Sequence, residues 1–296
     1  MKNIWYLFIL ILYSCSSSDN RILVKNSGEA QGSYFHIQYL SEYGENYKSQ
    51  IDSIFLEIDS SLSIYKDYSL ISKLNKGKDI RTDTLFNTVF MAAQKVFLES
   101  EGNFDCSVSP LVNAWGFYKD KLGDSLVIDS SKFRSILHDI GFQKIQLIGD
   151  SLVMPKNMSL DFNAIAQGFT VDLIARYLEN KNIRNYLIEV GGELLAKGRN
   201  DDGNIWRVGV EKPSEDIDAN GRFQFILDLE NKALATSGNY RKFYEKDGVK
   251  YSHTINPFTG ICKPNYFLLP SFPFIDLSHT IQTYRNIHTQ YICSYS

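Results

Sequence analysis

The chain lacks the features that mark several broad classes. It has four cysteines, and beyond Cys15 the remaining Cys106, Cys262 and Cys293 are an odd number, so no disulfide framework is implied. Cys106 is expected to be buried rather than reactive. Neither sign of charge dominates: 31 basic against 34 acidic residues leave a net charge of -3, which offers no electrostatic footprint for nucleic acid. The apolar run at residues 4–12 is too short to span a bilayer comfortably. Repeats and low-complexity tracts are absent, and strands and helices do not alternate in a regular rhythm. The last residues are poorest of all. From Pro264 onward there is no Gly, Ala, Val, Lys or Glu, and only Asp276 and Arg285 are charged, where the chain's own 22% would give about seven. Such a break in composition is unusual within one folded domain. It points to a frame disruption near residue 265 or to a diverged tail.

What is present is ordinary globular material. The 296 residues are 44% hydrophobic and 14% aromatic, enough for a sizeable core in one large domain or two small ones. The aromatic content suits a pocket for a flat ring and equally a well-packed interior. At the start, Lys2 precedes the short apolar run, which ends L-Y-S-C at residues 12–15 before S-S-S-D-N. That pattern is expected of an exported bacterial lipoprotein, with residues 1–14 as signal, Cys15 acylated and residues 15–27 as tether.

Along the chain, residues 34–40 predict a strand. Ile51, Ile54, Phe55, Ile58 and Leu62 mark one face of a helix ending near Tyr65. A second helix buries Leu85, Phe86, Val89, Phe90, Ala93, Val96 and Phe97. Residues 144–148 and 151–154 form a hairpin about Gly149-Asp150. Strands follow at 205–211 and Phe223–Leu229, then a hairpin of 240–246 with Val249–Ile255 about Asp247-Gly248. The class is α+β, mixed sheets with packed helices.

The organising stretch is residues 159–198. Asp161 and Asn163 stand where helix caps sit, and Val171, Ile174, Ala175 and Leu178 keep helical spacing until Asn182 closes the helix. Tyr186–Val190 is a buried strand ending in Gly191-Gly192, where backbone can approach a ligand without an intervening Cβ. First-turn amides near residues 166–168 would face an anion. The spacing fits a cradle for a phosphate-bearing ligand and a plain packing unit equally well. Among the five histidines, His253 is the most pointed, at a strand end in Y-S-H-T-I-N-P. An imidazole there can accept a proton near neutral pH, although a lone strand-end histidine is more often structural. His36 and His138 match no motif and are expected to be structural or surface residues.

The motifs resemble those of one family. D-x-N-A-I-A-Q-G-F-x-x-D followed by E-V-G-G-E-L is similar to the core of the flavin transferases of the ApbE family, which move FMN from FAD onto a protein threonine or serine. Other stretches agree in order: G-S-Y at 32–34, L-S-I-Y with S-x-I-S-x-L-N at 62–75, and F-D-x-S-V-x-P-L-V-x-x-W-G-F at 104–117. A-T-S-G-N-Y at 235–240 and Y-S-H-T-I-N-P-x-T-G at 251–260 complete the set. The resemblance implies His253 as the catalytic residue. It implies flavin binding by Gln31, Tyr65, Asn103, Phe104, Asp105, Asn163 and Gln167. On their own chemistry, Phe104 fits the core as well as a ring stack, and Asp105 and Asn163 fit caps as well as ligands. Gln31 stands where the family commonly has methionine, and Gln167 where it has lysine or glutamate. Thr236-Ser237-Gly238 would bring hydroxyls and a turn beside the site.

The resemblance also implies Mg²⁺, with the carbonyl of Ala166 as one ligand and a D-A-x-x-T motif near the C-terminus for the others. No such motif follows Gly260, and Asp276 and Thr280 are poor substitutes. The expected organisation is a flavin transferase domain at residues 28–264 and an atypical tail at 265–296. The expected activity is transfer of FMN from FAD to a target hydroxyl with release of AMP. The alternatives are a FAD-binding lipoprotein without transfer, or a FAD pyrophosphatase. The partners implied are FAD, an acceptor protein and a membrane reached through the lipid anchor and facing the periplasm.

Overall fold

A computed structural model describes residues 21–117, 130–211, 223–235, 243–246, 249–264 and 274–276. The chain opens with strands β1 (Ile22–Ala30) and β2 (Ser33–Ser41). Helices α1 (Lys48–Leu62), α2 (Leu70–Asn75), α3 (Thr84–Glu99), α4 (Ser109–Ala114) and α5 (Ser130–His138) follow. A small hairpin, β3 (Gln146–Ile148) and β4 (Ser151–Val153), leads to the long helix α6 (Asn163–Asn180). Then come β5 (Tyr186–Val190), β6 (Glu193–Lys197), β7 (Trp206–Glu211), β8 (Phe223–Leu229) and β9 (Lys232–Leu234). The last described strands are β10 (Phe243–Lys246), β11 (Val249–Ile255), β12 (Cys262–Pro264) and β13 (Phe274–Asp276).

Six strands form the main sheet in the order β1-β2-β5-β6-β9-β13, every neighbouring pair antiparallel. Its side-chain period of two decides what each face does. Phe35, Ile37 and Tyr39 of β2, with Tyr186, Ile188 and Val190 of β5, pack against Ile51 and Phe55 of α1 and Val171, Ile174 and Leu178 of α6. Leu187 and Leu194 point the other way, onto Trp206, Val208 and Leu229 of the β7–β8 pair. Because β5 is covered on both faces, its sequence is apolar almost without interruption. A second core joins α1, α2 and α3 to the entry of α6, with Phe86 set edge-on to Phe162 at 5.4 Å.

The α+β expectation is met, and the helical faces at 51–62 and 85–97, the hairpin at 144–154 and the strand at Tyr186–Val190 lie where the sequence puts them. The differences have physical causes. Residues 22–27, expected as tether, belong to β1; as an edge strand it turns only Val24 and Asn26 fully inward, which leaves a weak apolar signal. Helices α2 and α4 have six residues each, too few to show a period of 3.6. Of the tail, residues 274–276 are β13, paired with β9 at the edge of the main sheet. The signal segment, Cys15, the Asp247-Gly248 turn and the rest of the tail lie outside the described residues.

Candidate functional site

Two tight turns lie side by side at one end of the main sheet. Ala30 pairs with Ser33, so β1 and β2 are joined by Gln31-Gly32 alone, with φ of 52° and 71°. Val190 pairs with Glu193, so β5 and β6 are joined by Gly191-Gly192, with φ of 63° and 99°. Positive φ at both central residues is what a two-residue hairpin twisted like its strands requires. Phe35 pairs with Val190 and the Gly191 N–H donates to the Tyr34 carbonyl at 3.0 Å, which brings the turns together. Helix α6 feeds β5 through a short return, so its N-terminal half comes to the same end.

Side chains from α6 then meet both turns. The Gln167 amide lies against Gly191: a Cβ there would stand 2.3 Å from Gln167 Nε2. Gln31 Nε2 donates to Thr170 Oγ1 at 2.7 Å, and the Thr170 hydroxyl donates to the Ala166 carbonyl at 2.8 Å. Thr170 is wholly buried. Nothing in the sequence marks it, because a threonine inside an apolar helical run looks like packing.

The helix entry is held from the other side. Asn75 Nδ2 donates to the Leu160 carbonyl and the Leu160 N–H donates back to Asn75 Oδ1, both at 2.8 Å. Asp161 Oδ1 accepts the Asn163 N–H at 2.7 Å, and Asn163 Nδ2 donates to the Tyr65 hydroxyl at 3.2 Å. Tyr65 is 63% exposed. Partial desolvation of its hydroxyl and the Asp161 carboxylate raise its pKa. The helix begins earlier than the motif suggests, which corrects the expected anion cradle. The Ala166 N–H already donates to the Phe162 carbonyl at 2.9 Å, and 166–168 lie within the helix.

The loop at 103–105 is tied to this entry by the Asp161 N–H, which donates to the Cys106 carbonyl at 2.8 Å. Its side chains are engaged internally. Asn103 Nδ2 donates to the Ser100 carbonyl, and Phe104 is buried in the helical core. Asp105 accepts from the Ser107 N–H and hydroxyl on one oxygen and from the Phe142 N–H on the other. Burial pushes its pKa up against those hydrogen bonds. In this structure the Phe104 side chain packs in the helical core and the Asp105 carboxylate braces the loop. Burial, with the Asp105 and Asp161 charges, also holds the Cys106 thiol well above its ordinary pKa.

Strand β11 carries His253, whose side chain lies outside the described residues. The β11–β12 register shifts between Tyr251 and Ile255, the interval holding this histidine. Such bulges break the regular alternation of a strand. The strand runs into the turn 256–260, where Asn256 Oδ1 accepts from the N–H groups of Phe258 and Thr259, and Trp115 Nε1 donates to the Gly260 carbonyl. This turn faces the 102–105 loop across a cavity of about 440 Å³ lined by Phe97, Gly102, Asp105, Gly141 and Phe258. His36 and His138 are exposed, and Thr236-Ser237-Gly238 lie outside the described residues.

Among the described residues, those around Ala166 do not by themselves fit a magnesium ion. Such an ion needs several oxygen ligands in near-octahedral geometry. The Ala166 carbonyl lies inside a helix and already accepts a hydroxyl. No group of three acidic, histidine or cysteine side chains gathers among the described residues.

The chain matches the ApbE family over residues 31–267. It is 34% identical over 264 residues to the FAD:protein FMN transferase of Vibrio cholerae, covering 85% of this chain and 76% of that one. It is 29% identical over 265 residues to the enzyme of the same description from Haemophilus influenzae, covering 80% and 72%. Among solved structures it resembles the flavin transferase ApbE from Vibrio cholerae, with a TM-score of 0.78, 29% identity, and 93% and 86% of the two chains covered. The apo flavinyl transferase ApbE from Pseudomonas stutzeri also matches, with a TM-score of 0.78, 27% identity, and 93% and 84% covered.

Proposed function

Because this chain belongs to the ApbE family, we propose that it transfers FMN from FAD to a threonine or serine hydroxyl of an acceptor protein. The observation that carries this reading is the convergence of the family motifs on one end of the main sheet. Gln31, Tyr65, the α6 residues Asn163 and Gln167, and the Gly191-Gly192 turn come together there from four segments of the chain. Tyr65 offers a ring face, and Asn163, Gln167 and Gln31 offer amides for the polar edges of a dinucleotide. In the reaction the acceptor hydroxyl forms a new O–P bond to the FMN phosphorus, the pyrophosphate P–O bond breaks, and AMP leaves. His253 is the proposed base that takes the hydroxyl proton. Positioning and neutralisation of phosphate charge supply most of the rate in such transfers.

A second reading is favoured by the oxygen atoms around Ala166, which among the described residues do not complete a cation site: the chain holds FAD without transferring it. The two separate in one experiment. An acceptor peptide is incubated with the chain and FAD, with Mg²⁺ added or chelated, and covalent flavin fluorescence is followed on a denaturing gel. Transfer is expected, and His253→Ala should slow it by about 10²- to 10⁴-fold, as loss of a general base does. Tight FAD binding with no covalent flavin under either condition would establish the second reading.

A further inference from the structure

The polar link between Gln31 and α6 leaves one atom unused. Gln31 stands at φ 52°, a backbone conformation unfavourable for any residue with a Cβ. Its Nε2 donates to Thr170 Oγ1 at 2.7 Å, and the Thr170 proton is directed to the Ala166 carbonyl at 2.8 Å. In this arrangement the amide nitrogen is the atom that faces Thr170. The remaining atom, Gln31 Oε1, is buried and accepts no hydrogen bond among the described residues. A buried acceptor without a donor is unfavourable, and such an unmet polar atom beside a candidate site calls for a partner.

We infer that Thr170 is a positioning residue, which holds Gln31 Oε1 as the acceptor for an N–H group of the bound dinucleotide. The inference rests on the reading that FAD occupies this end of the sheet. FAD carries two N–H groups of that kind, the imide of the flavin ring and the amino group of adenine. The ribityl and ribose hydroxyls are poorer matches, since their protons swivel to other partners. The phosphates carry no donor at neutral pH. A fixed acceptor therefore selects a fixed donor.

The test measures dissociation constants by fluorescence for the full chain with three probes: FAD, 3-methyl-FAD, and the dinucleotide with hypoxanthine in place of adenine. Wild type should bind one of the two analogues about tenfold more weakly than FAD, the size of one lost hydrogen bond. Thr170→Val should weaken FAD and abolish the gap to that analogue, and Thr170→Ser should restore both. Gln31→Leu removes the acceptor without touching the buried threonine and must close the same gap. Asn163→Ala should weaken all three probes and leave the gap intact, which tests the site separately. If wild type binds both analogues as it binds FAD, or if the gap survives Thr170→Val and Gln31→Leu, the acceptor role is overturned. The flavin site then still stands, provided that Asn163→Ala weakens binding. FAD affinity indifferent to Asn163→Ala, Thr170→Val and Gln31→Leu alike overturns both.

Discussion

Single residues in this chain take their roles from the number of partners already attached to them. Asp105 and Asn163 are both polar residues in family motifs. Asp105 has both carboxylate oxygens committed to the backbone of residues 107 and 142 and to the Ser107 hydroxyl. Asn163 is exposed, with its amide shared between Tyr65 and Asp161. Burial raises the Asp105 pKa, and this sets the sign of a pH effect. The folded state then holds its proton more tightly than the unfolded state, so the group's contribution is fully present below the ordinary aspartate value of about 3.9. That contribution is lost as pH rises through the raised folded value. Denaturation midpoints of wild type and Asp105→Asn, compared from pH 3 upward, should show this falling component in wild type only. Parallel curves across that window would mean that Asp105 carries no raised pKa.

At the scale of elements, the site is an arrangement of ends: the entry of α6, two hairpin turns and the loop that follows α3. The Gly191-Gly192 turn illustrates how little freedom such ends have. Gly191 sits at φ 63° with Gln167 Nε2 in the space a Cβ would take. In Gly191→Ala the left-handed backbone alone costs about 1–2 kcal/mol, and the methyl displaces the Gln167 amide. We expect an unfolding free energy lower by that amount, read as a lower urea midpoint, and weaker FAD binding. An unchanged midpoint together with unchanged affinity would show that the turn is neither strained by a side chain nor part of the site. The paired Asn75–Leu160 hydrogen bonds act at the same scale, since they fix where the helix entry stands relative to Tyr65.

For the whole molecule, the main sheet separates two jobs. One face supports α1 and α6, which present the site, and the other packs on β7 and β8. No helix among the described residues is long and apolar enough to cross a membrane. We propose, from the L-Y-S-C pattern at residues 12–15, that the chain is anchored through an acylated Cys15. One acyl chain binds a bilayer only marginally, whereas two anchor stably. The full chain expressed with its leader should partition into detergent. Cys15→Ser should release it, and a processed Cys15→Ser protein still in the detergent phase would count against the lipoprotein reading.

The sequence by itself determined the long elements, because a helix of fifteen or more residues, or a strand covered on both faces, repeats its apolar pattern often enough to be unmistakable. It also carried the motif order, and with it the family. Only the tertiary structure decided which motif residues are available. Phe104 looks the same in a sequence whether it is exposed or fills a core, and the structure buries it among helices. The site's amides come from Gln31 and, more than a hundred residues later, from Asn163 and Gln167 of α6; sheet pairing of Phe35 with Val190 brings the Gln31-Gly32 turn beside the Gly191-Gly192 turn that Gln167 meets. Thr170 gives no local sign of its part, since a hydrogen bond across 139 residues leaves no periodicity to read.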